Sequence, residues 1–352
     1  MGSEARPRTR ITIVGTGLIG ASIGLRLCSL PNRTFEVVGI DRDPEQIRTA
    51  KKRGAIDREA RSFEDAVEGA GLVVLAVPIL AGPRVMRDLA PYLSPGAVVT
   101  DTFSTKNEVL SWAAEYLPEG VSFVGGHPMA GKEENGAAAA DAALFEGATW
   151  AIVPSPTASE AAVRTVVGMV EALGARPAYF DAAEHDQLTA AISHLPLFLS
   201  VALFRMVRDS PSWEDAALLA GPGFRDTTRL ASGDPVLAQG IWRTNREALL
   251  HWLDRFTLQL RELRSLLADP EREEELGQLV TKTKLDRDVF IENPPRREPP
   301  SRAVDVPSTA DALGQFIAGA MYQRLKEYTA KPPPIRPDDP ALRRKLGIDD
   351  DD

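Results

Sequence analysis

The sequence predicts an α/β domain built on a parallel sheet, followed by an all-α domain. Three observations carry that prediction. Short apolar runs alternate with helix-like stretches through the first half, a glycine-rich turn joins the first such run to the next helix, and near residue 181 the texture shifts to Ala- and Leu-rich sequence with few strand candidates. At 352 residues the chain is longer than most single domains, which fits two domains and an appendage.

The runs ITIVG (11–15), VVGID (37–41), LVVLAV (72–77) and AVVTD (97–101) are continuously apolar and β-branched. Such runs suit strands covered on both faces. Residues 44–53 predict a helix, with Ile47 and Ala50 three apart on one face. Strands at this spacing with helices between them imply right-handed βαβ units. FVGG (123–126), TWAIVP (149–154) and ARPAYF (175–180) extend the sheet, with a helix over 159–173. Beyond 181, HDQLTAAISHLPLFLSVALFRMV predicts a long, largely buried helix kinked at Pro196. A helix apolar on more than one face belongs inside a large core or against a second subunit, so a homodimer through the helical domain is expected. The expected division is 1–181, 182–292 and 293–352. The last piece holds a Pro-rich linker, one amphipathic helix over 309–328 and an acidic tail.

Composition narrows the function classes. With 43% hydrophobic and 26% charged residues the chain is an ordinary globular mixture. The balance of 41 Lys and Arg against 50 Asp and Glu gives a net charge of −9, without the basic stripe of a nucleic-acid binder. No apolar run approaches the roughly 20 residues that cross a bilayer, and MGSEARPRTR leads straight into ITIVG without a signal-peptide core. A single cysteine, Cys28, leaves no internal disulfide and no Cys-based zinc cluster. A cytoplasmic protein with no metal, membrane or nucleic-acid partner is expected.

Gly15-Thr16-Gly17-Leu18-Ile19-Gly20 fits G-x-G-x-x-G between a strand and a helix. Gly15 permits the tight turn, Gly17 lets backbone approach a pyrophosphate, and Gly20 allows close helix–strand packing, while the helix N-terminus offers unpaired N–H groups. The next strand ends at Asp41, where a Rossmann-type dinucleotide-binding domain places the acid for the ribose hydroxyls. A carboxylate there favours NAD over NADP, although Arg42 beside it could accept a phosphate. Leu18, Ile19, Val77 and Pro78 complete the expected cofactor contacts.

Four histidines occur, His127, His185, His194 and His251. His127 stands in GGHPMAG just past a predicted strand, and Ser104 in DTFSTK follows another, so both should reach the crevice beyond the strands' carboxyl ends. A hydroxyl, an imidazole and a nicotinamide together suggest proton handling during hydride transfer. Arg229, in GPGFRDTTRL, could grip a carboxylate through two parallel hydrogen bonds or form a surface ion pair with Asp226.

In GTGLIGAS, DTFSTK, GGHPMAGKEENG, HDQLTAAISHLP and GFRDTTRLASGDP, taken in that order over residues 11–267, the chain resembles the prephenate dehydrogenase family, which includes arogenate and cyclohexadienyl dehydrogenases. The resemblance implies an NAD(P) domain followed by a dimerising helical domain. It implies oxidative decarboxylation of prephenate to 4-hydroxyphenylpyruvate in tyrosine biosynthesis, or of arogenate to tyrosine. His127 then corresponds to the catalytic histidine, Ser104 to the serine near the substrate hydroxyl and nicotinamide, and Arg229 to the carboxylate-binding arginine. Glu133 matches an acid at the mouth of the substrate pocket. His194 and His185 match family histidines, and each also reads as a satisfied imidazole on a buried helix. One departure stands out: many prephenate-specific members read S-H-L-P-H, whereas this chain has Leu197 in the final place. Leu197 cannot donate to a keto group, which shifts the balance toward arogenate. A hydroxy acid dehydrogenase would not need this set of motifs, and a non-catalytic NAD sensor would not need Ser104, His127 and Arg229 together.

Overall fold

The computed structural model describes residues 9–132 and 134–294. Its single sheet holds β1 (Thr9–Val14), β2 (Phe35–Ile40), β3 (Arg58–Glu59), β4 (Ala70–Leu75), β5 (Val98–Asp101), β6 (Ser122–Pro128), β7 (Thr149–Pro154) and β8 (Arg176–Tyr179), in the order β3-β2-β1-β4-β5-β6-β7-β8. Ile13, Val37, Val38, Val73, Val74 and Leu75 are completely buried, which accounts for the unbroken apolar runs. The helices α1 (Leu18–Cys28), α2 (Pro44–Lys52), α3 (Phe63–Val67), α4 (Gly82–Leu89), α5 (Asn107–Tyr116) and α6 (Glu160–Ala172) lie between the strands in sequence. Asp43 and Ser159 cap α2 and α6 by accepting from Glu45 N and Ala162 N.

Every strand the sequence predicts is present, and two features go beyond it. β3 is two residues long and pairs only with Val38 and Gly39 of β2, too short to leave a pattern. β6 and β7 are antiparallel, whereas all other neighbours are parallel. Between them the described chain forms only a 3-10 turn, Ala137–Ala139, and lacks the crossover helix that a parallel return requires.

After β8 no strand occurs among the described residues. The chain continues as α7 (Ala182–Thr189), a π-helical turn (Ala190–His194) and α8 (Leu195–Arg208), then α9 (Trp213–Leu218), α10 (Pro222–Thr228), α11 (Pro235–Thr244), α12 (Arg246–Ala268) and α13 (Glu273–Glu292). One expectation gains detail here and one needs correction. Pro196 lacks an N–H and its ring crowds the carbonyl four residues back, and the widened π turn just before it takes up the mismatch. The helical run from Ala182 to Arg208 is also not largely buried: Leu188, Ile192, Val201, Phe204 and Met206 are exposed. By length and composition this 27-residue run could span a bilayer, with a mean hydropathy of 1.7 in its most apolar window, 22% of which is buried. Among the described residues there is therefore one segment long and apolar enough by this measure, assembled across Pro196, where sequence reading found none. The expected 309–328 helix, most of the linker and the acidic tail lie outside the described residues.

Candidate active site

The glycine turn forms as its spacing demands. Gly15 has φ +93°, and a Cβ there would stand 2.5 Å from Ala76 O and 2.9 Å from Val77 Cγ1, so the tip of β4 closes on it. At Gly17 a Cβ would have nothing within 4 Å, and Gly17 precedes α1 without any side-chain cap. The start of α1 thus has open space beside Gly17 and no side chain capping its first-turn amides, a cradle suited to a phosphate. Asp41, just past β2, is tied to the turn: its Oδ2 accepts from Thr16 N (2.6 Å) and Thr16 Oγ1 (3.2 Å), and its Oδ1 accepts from Asp43 N (2.9 Å). Leu18 and Ile19 are half-buried at the start of α1, with Val77 half-buried and Pro78 exposed beyond β4.

His127 owes its place to the unequal lengths of two strands. β6 pairs with β5 only through Val124, then runs on beside β7 with His127 opposite Ala151. The overshoot carries His127 past the carboxyl end of β5, where the DTFSTK loop begins. Asp101 closes β5 and fastens that loop to the overshoot. Its Oδ1 accepts from Gly126 N (3.0 Å), its Oδ2 accepts from Phe103 N (2.9 Å), and it takes an ion pair from the wholly buried Lys106 ammonium. Burial pushes the Asp101 carboxyl up and the Lys106 ammonium down, each against the pull of its partner. Gly126 fits because it has no side chain: a Cβ would stand 2.6 Å from Asp101 O and 2.8 Å from Trp150 Nε1. Ser104 is half-buried in the bend between β5 and α5 and makes no hydrogen bond to His127.

Around His127 the helical elements gather His185 and His194, both named from the sequence, with Asp186 and Asn245, which sequence reading did not single out. His127 Nδ1 lies 2.9 Å from His185 Nε2, and His185 Nδ1 lies 2.8 Å from Asp186 Oδ1. Asp186 also accepts from Lys106 N (2.7 Å) and Asn107 N (2.9 Å), which joins α7 to the start of α5. Asn245, buried between α11 and α12, donates to Asp186 O (2.7 Å) and lies 3.3 Å from His194 Nδ1. The π turn brings His194 to complete burial, and its Nε2 has no partner among the described residues. Burial lowers the His127 imidazole well below 6.5, reinforced by His185, Lys106 and His194. Burial likewise lowers His194 to about 4. Both rings are neutral at neutral pH.

Of the other predicted residues, Arg229 is exposed at the start of the 3-10 turn Arg229–Ser232, which packs on α8, and no hydrogen bond joins it to His127 or Ser104. Ser200 on α8 holds the preceding residues by donating to Thr227 O (2.7 Å). Glu133 lies outside the described residues. His251 is exposed on α12 beside Trp252.

The chain matches two family models, the prephenate dehydrogenase nucleotide-binding domain over residues 30–179 and the prephenate dehydrogenase dimerization domain over 181–282. It is 34% identical to prephenate dehydrogenase of Bacillus subtilis over 267 residues, 75% of this chain and 71% of that protein. This chain belongs to the prephenate dehydrogenase family. Within the family it is also 32% identical to cyclohexadienyl dehydrogenase of Zymomonas mobilis, covering 74% of this chain and 89% of that one. Among solved structures it resembles prephenate dehydrogenase from A. aeolicus in complex with hydroxyphenyl propionate and NAD+, at 29% identity and TM-score 0.74 over 81% of this chain and 99% of that one. Synechocystis arogenate dehydrogenase aligns at 31% identity and TM-score 0.69, over 80% of this chain and all of that one. A Rossmann-type domain followed by a helical dimerisation domain is thus the family architecture, as the sequence predicts.

Proposed function

We propose that this chain is an NAD-dependent prephenate dehydrogenase, converting prephenate to 4-hydroxyphenylpyruvate in tyrosine biosynthesis. The observation that carries the reading is a buried, neutral His127 at the carboxyl end of the sheet, on the same side as the open cradle at Gly17. That cradle, the uncapped start of α1 and the carboxylate of Asp41 fit a dinucleotide. Gly15, Gly17, Leu18, Ile19 and Gly20 would take its pyrophosphate, Asp41 its ribose, and Val77, Pro78 and Ser104 its remaining length. NAD, when bound, supplies the hydride acceptor. His127 takes the proton of the substrate's ring hydroxyl, with Ser104 holding that hydroxyl, as hydride leaves the same carbon. Loss of the ring carboxylate as CO2 then leaves an aromatic product. Arg229 and Glu133 are assigned to the substrate's carboxylate and the pocket mouth, and the unpaired Nε2–H of His194 to a polar group of the substrate.

The division at residues 181 and 182 separates the cofactor half from the half that closes over the substrate. Two copies are proposed to pair through the helical half, covering the exposed apolar face of the 182–208 run. A bilayer is the other environment that could cover it; recovery of the protein from the cytoplasmic soluble fraction without detergent would support pairing, and recovery only with detergent would favour the bilayer. Arogenate is the second reading, favoured by Leu197 one turn beyond His194 on α8.

Turnover of prephenate and of arogenate, each with NAD and with NADP, tests the assignment through NADH or NADPH absorbance. His127→Asn should lower kcat by about 10²–10⁴-fold, the span of a positioned general base, with NAD affinity kept. Unchanged turnover removes His127 from that role. Arg229→Ala should raise KM, costing about 2–5 kcal/mol of substrate binding if the guanidinium pairs with a desolvated carboxylate.

A further inference from the structure

We infer that Asp186 and His185 are positioning residues that fix the tautomer of His127, leaving its Nε2 as the proton acceptor. The inference rests on the reading of His127 as the base and follows from the hydrogen-bond chain alone. Asp186 accepts two backbone N–H groups, one on each carboxylate oxygen, and is 2% exposed. An anion held by two donors is an acceptor toward its third neighbour, so His185 carries its proton on Nδ1. In a neutral ring that leaves His185 Nε2 with a lone pair. The 2.9 Å contact to His127 Nδ1 is then a hydrogen bond in which His127 donates. His127 therefore keeps its proton on Nδ1, and Nε2, which has no hydrogen bond among the described residues, is free to accept. When Nε2 takes the substrate's proton, the positive charge on His127 is met through His185 by the Asp186 carboxylate. The logic is that of a buried acid orienting a catalytic histidine, at one ring's remove.

The ionisable groups facing this chain are Lys106 and Asp101 on one side and His194 on the other.

The test is Asp186→Asn. An amide replaces an oxygen acceptor with a donor, turns His185 over and places the proton of His127 on Nε2. We expect kcat to fall by about 10²–10⁴-fold, as loss of the orienting acid does elsewhere, while NAD affinity changes less than threefold and the acid limb of the pH profile moves. His185→Gln, which keeps an acceptor facing His127, should retain at least tenfold more activity than His185→Leu. Histidine ring nitrogens of uniformly 15N-His protein report the tautomer directly. The chain has only four histidines, assignable by single substitution. Nδ1–H on His127 in the wild type and Nε2–H in Asp186→Asn support the inference. Nε2–H in the wild type overturns it, as does an Asp186→Asn enzyme with wild-type kcat and pH profile. So does an inactive Asp186→Asn enzyme whose His127 keeps Nδ1–H, which leaves Asp186 a tie between helices. The NMR arm needs no substrate, so the absence of turnover with prephenate or arogenate would count against the proposed function alone.

Discussion

Lys106 and Asp101 bury a complete ion pair beneath the His127 strand, and the cost of burial there is visible in both groups. Removing one partner strands the other. Lys106→Met should leave the Asp101 carboxylate unpaired and destabilise the fold by about 3–5 kcal/mol, measured by urea unfolding, and Asp101→Asn/Lys106→Met should recover part of that. His194 gives a second prediction. Its folded form resists protonation down to about 4 against 6.5 ordinarily, so between those values the unfolded chain binds the extra proton. This contribution to stability is complete above about pH 6.5 and is lost as pH falls toward 4. Thermal unfolding across that range in wild type and His194→Asn should diverge in slope. His127 and Ser104 were legible as single residues because each stands at or just beyond the carboxyl end of a strand within a short motif, His127 within the last residues of β6 rather than past it. Asp186 also stood in the sequence beside His185, but nothing local says that the two face a histidine 58 residues away. The partnership of Asn245 with His194 spans 51 residues and left no local trace either.

Secondary elements were legible to the extent that their side chains announce them. The β1, β2, β4 and β5 runs declare burial on both faces, and the caps at Asp43 and Ser159 mark helix starts. Strand direction is a different matter, because a run of apolar residues reads the same both ways. Only the missing crossover helix between β6 and β7 distinguishes them, and that is a property of the connection. The π turn at Ala190–His194 is likewise set by the conflict between Pro196 and its preceding turn rather than by a preference of its residues. Packing of α1 makes its own prediction. A Cβ on Gly24 would meet the Ala55 carbonyl, which is backbone and cannot rotate aside. Gly24→Ala should therefore destabilise the protein by about 1–3 kcal/mol, seen as a lower urea midpoint, with little change in kcat of the folded enzyme.

For the molecule as a whole, apolar exposure is uneven. Besides Ile192 and Met206, the side chains of Leu218, Leu219, Leu250, Leu258, Leu267, Val280 and Ile291 stand in solvent, all from the helical half. A surface so apolar calls for a partner, and light scattering should give a mass twice that of one chain. Leu258→Glu, placing a charge in the most exposed stretch of α12, should shift the protein toward monomer without unfolding the sheet. The sequence expectation of a largely buried helix failed for one copy of the chain, because burial that a second chain would supply leaves the same hydrophobic pattern.

The two glycines ahead of His127 constrain how this enzyme could change over generations. Gly125 and Gly126 admit no Cβ without displacing Val153 O, Asp101 O or Trp150 Nε1, so every replacement of either residue costs the strand that carries the base. Drift is closed on that wall. Divergence in substrate preference is expected instead along the first turn of α8, where Leu197 is half-buried.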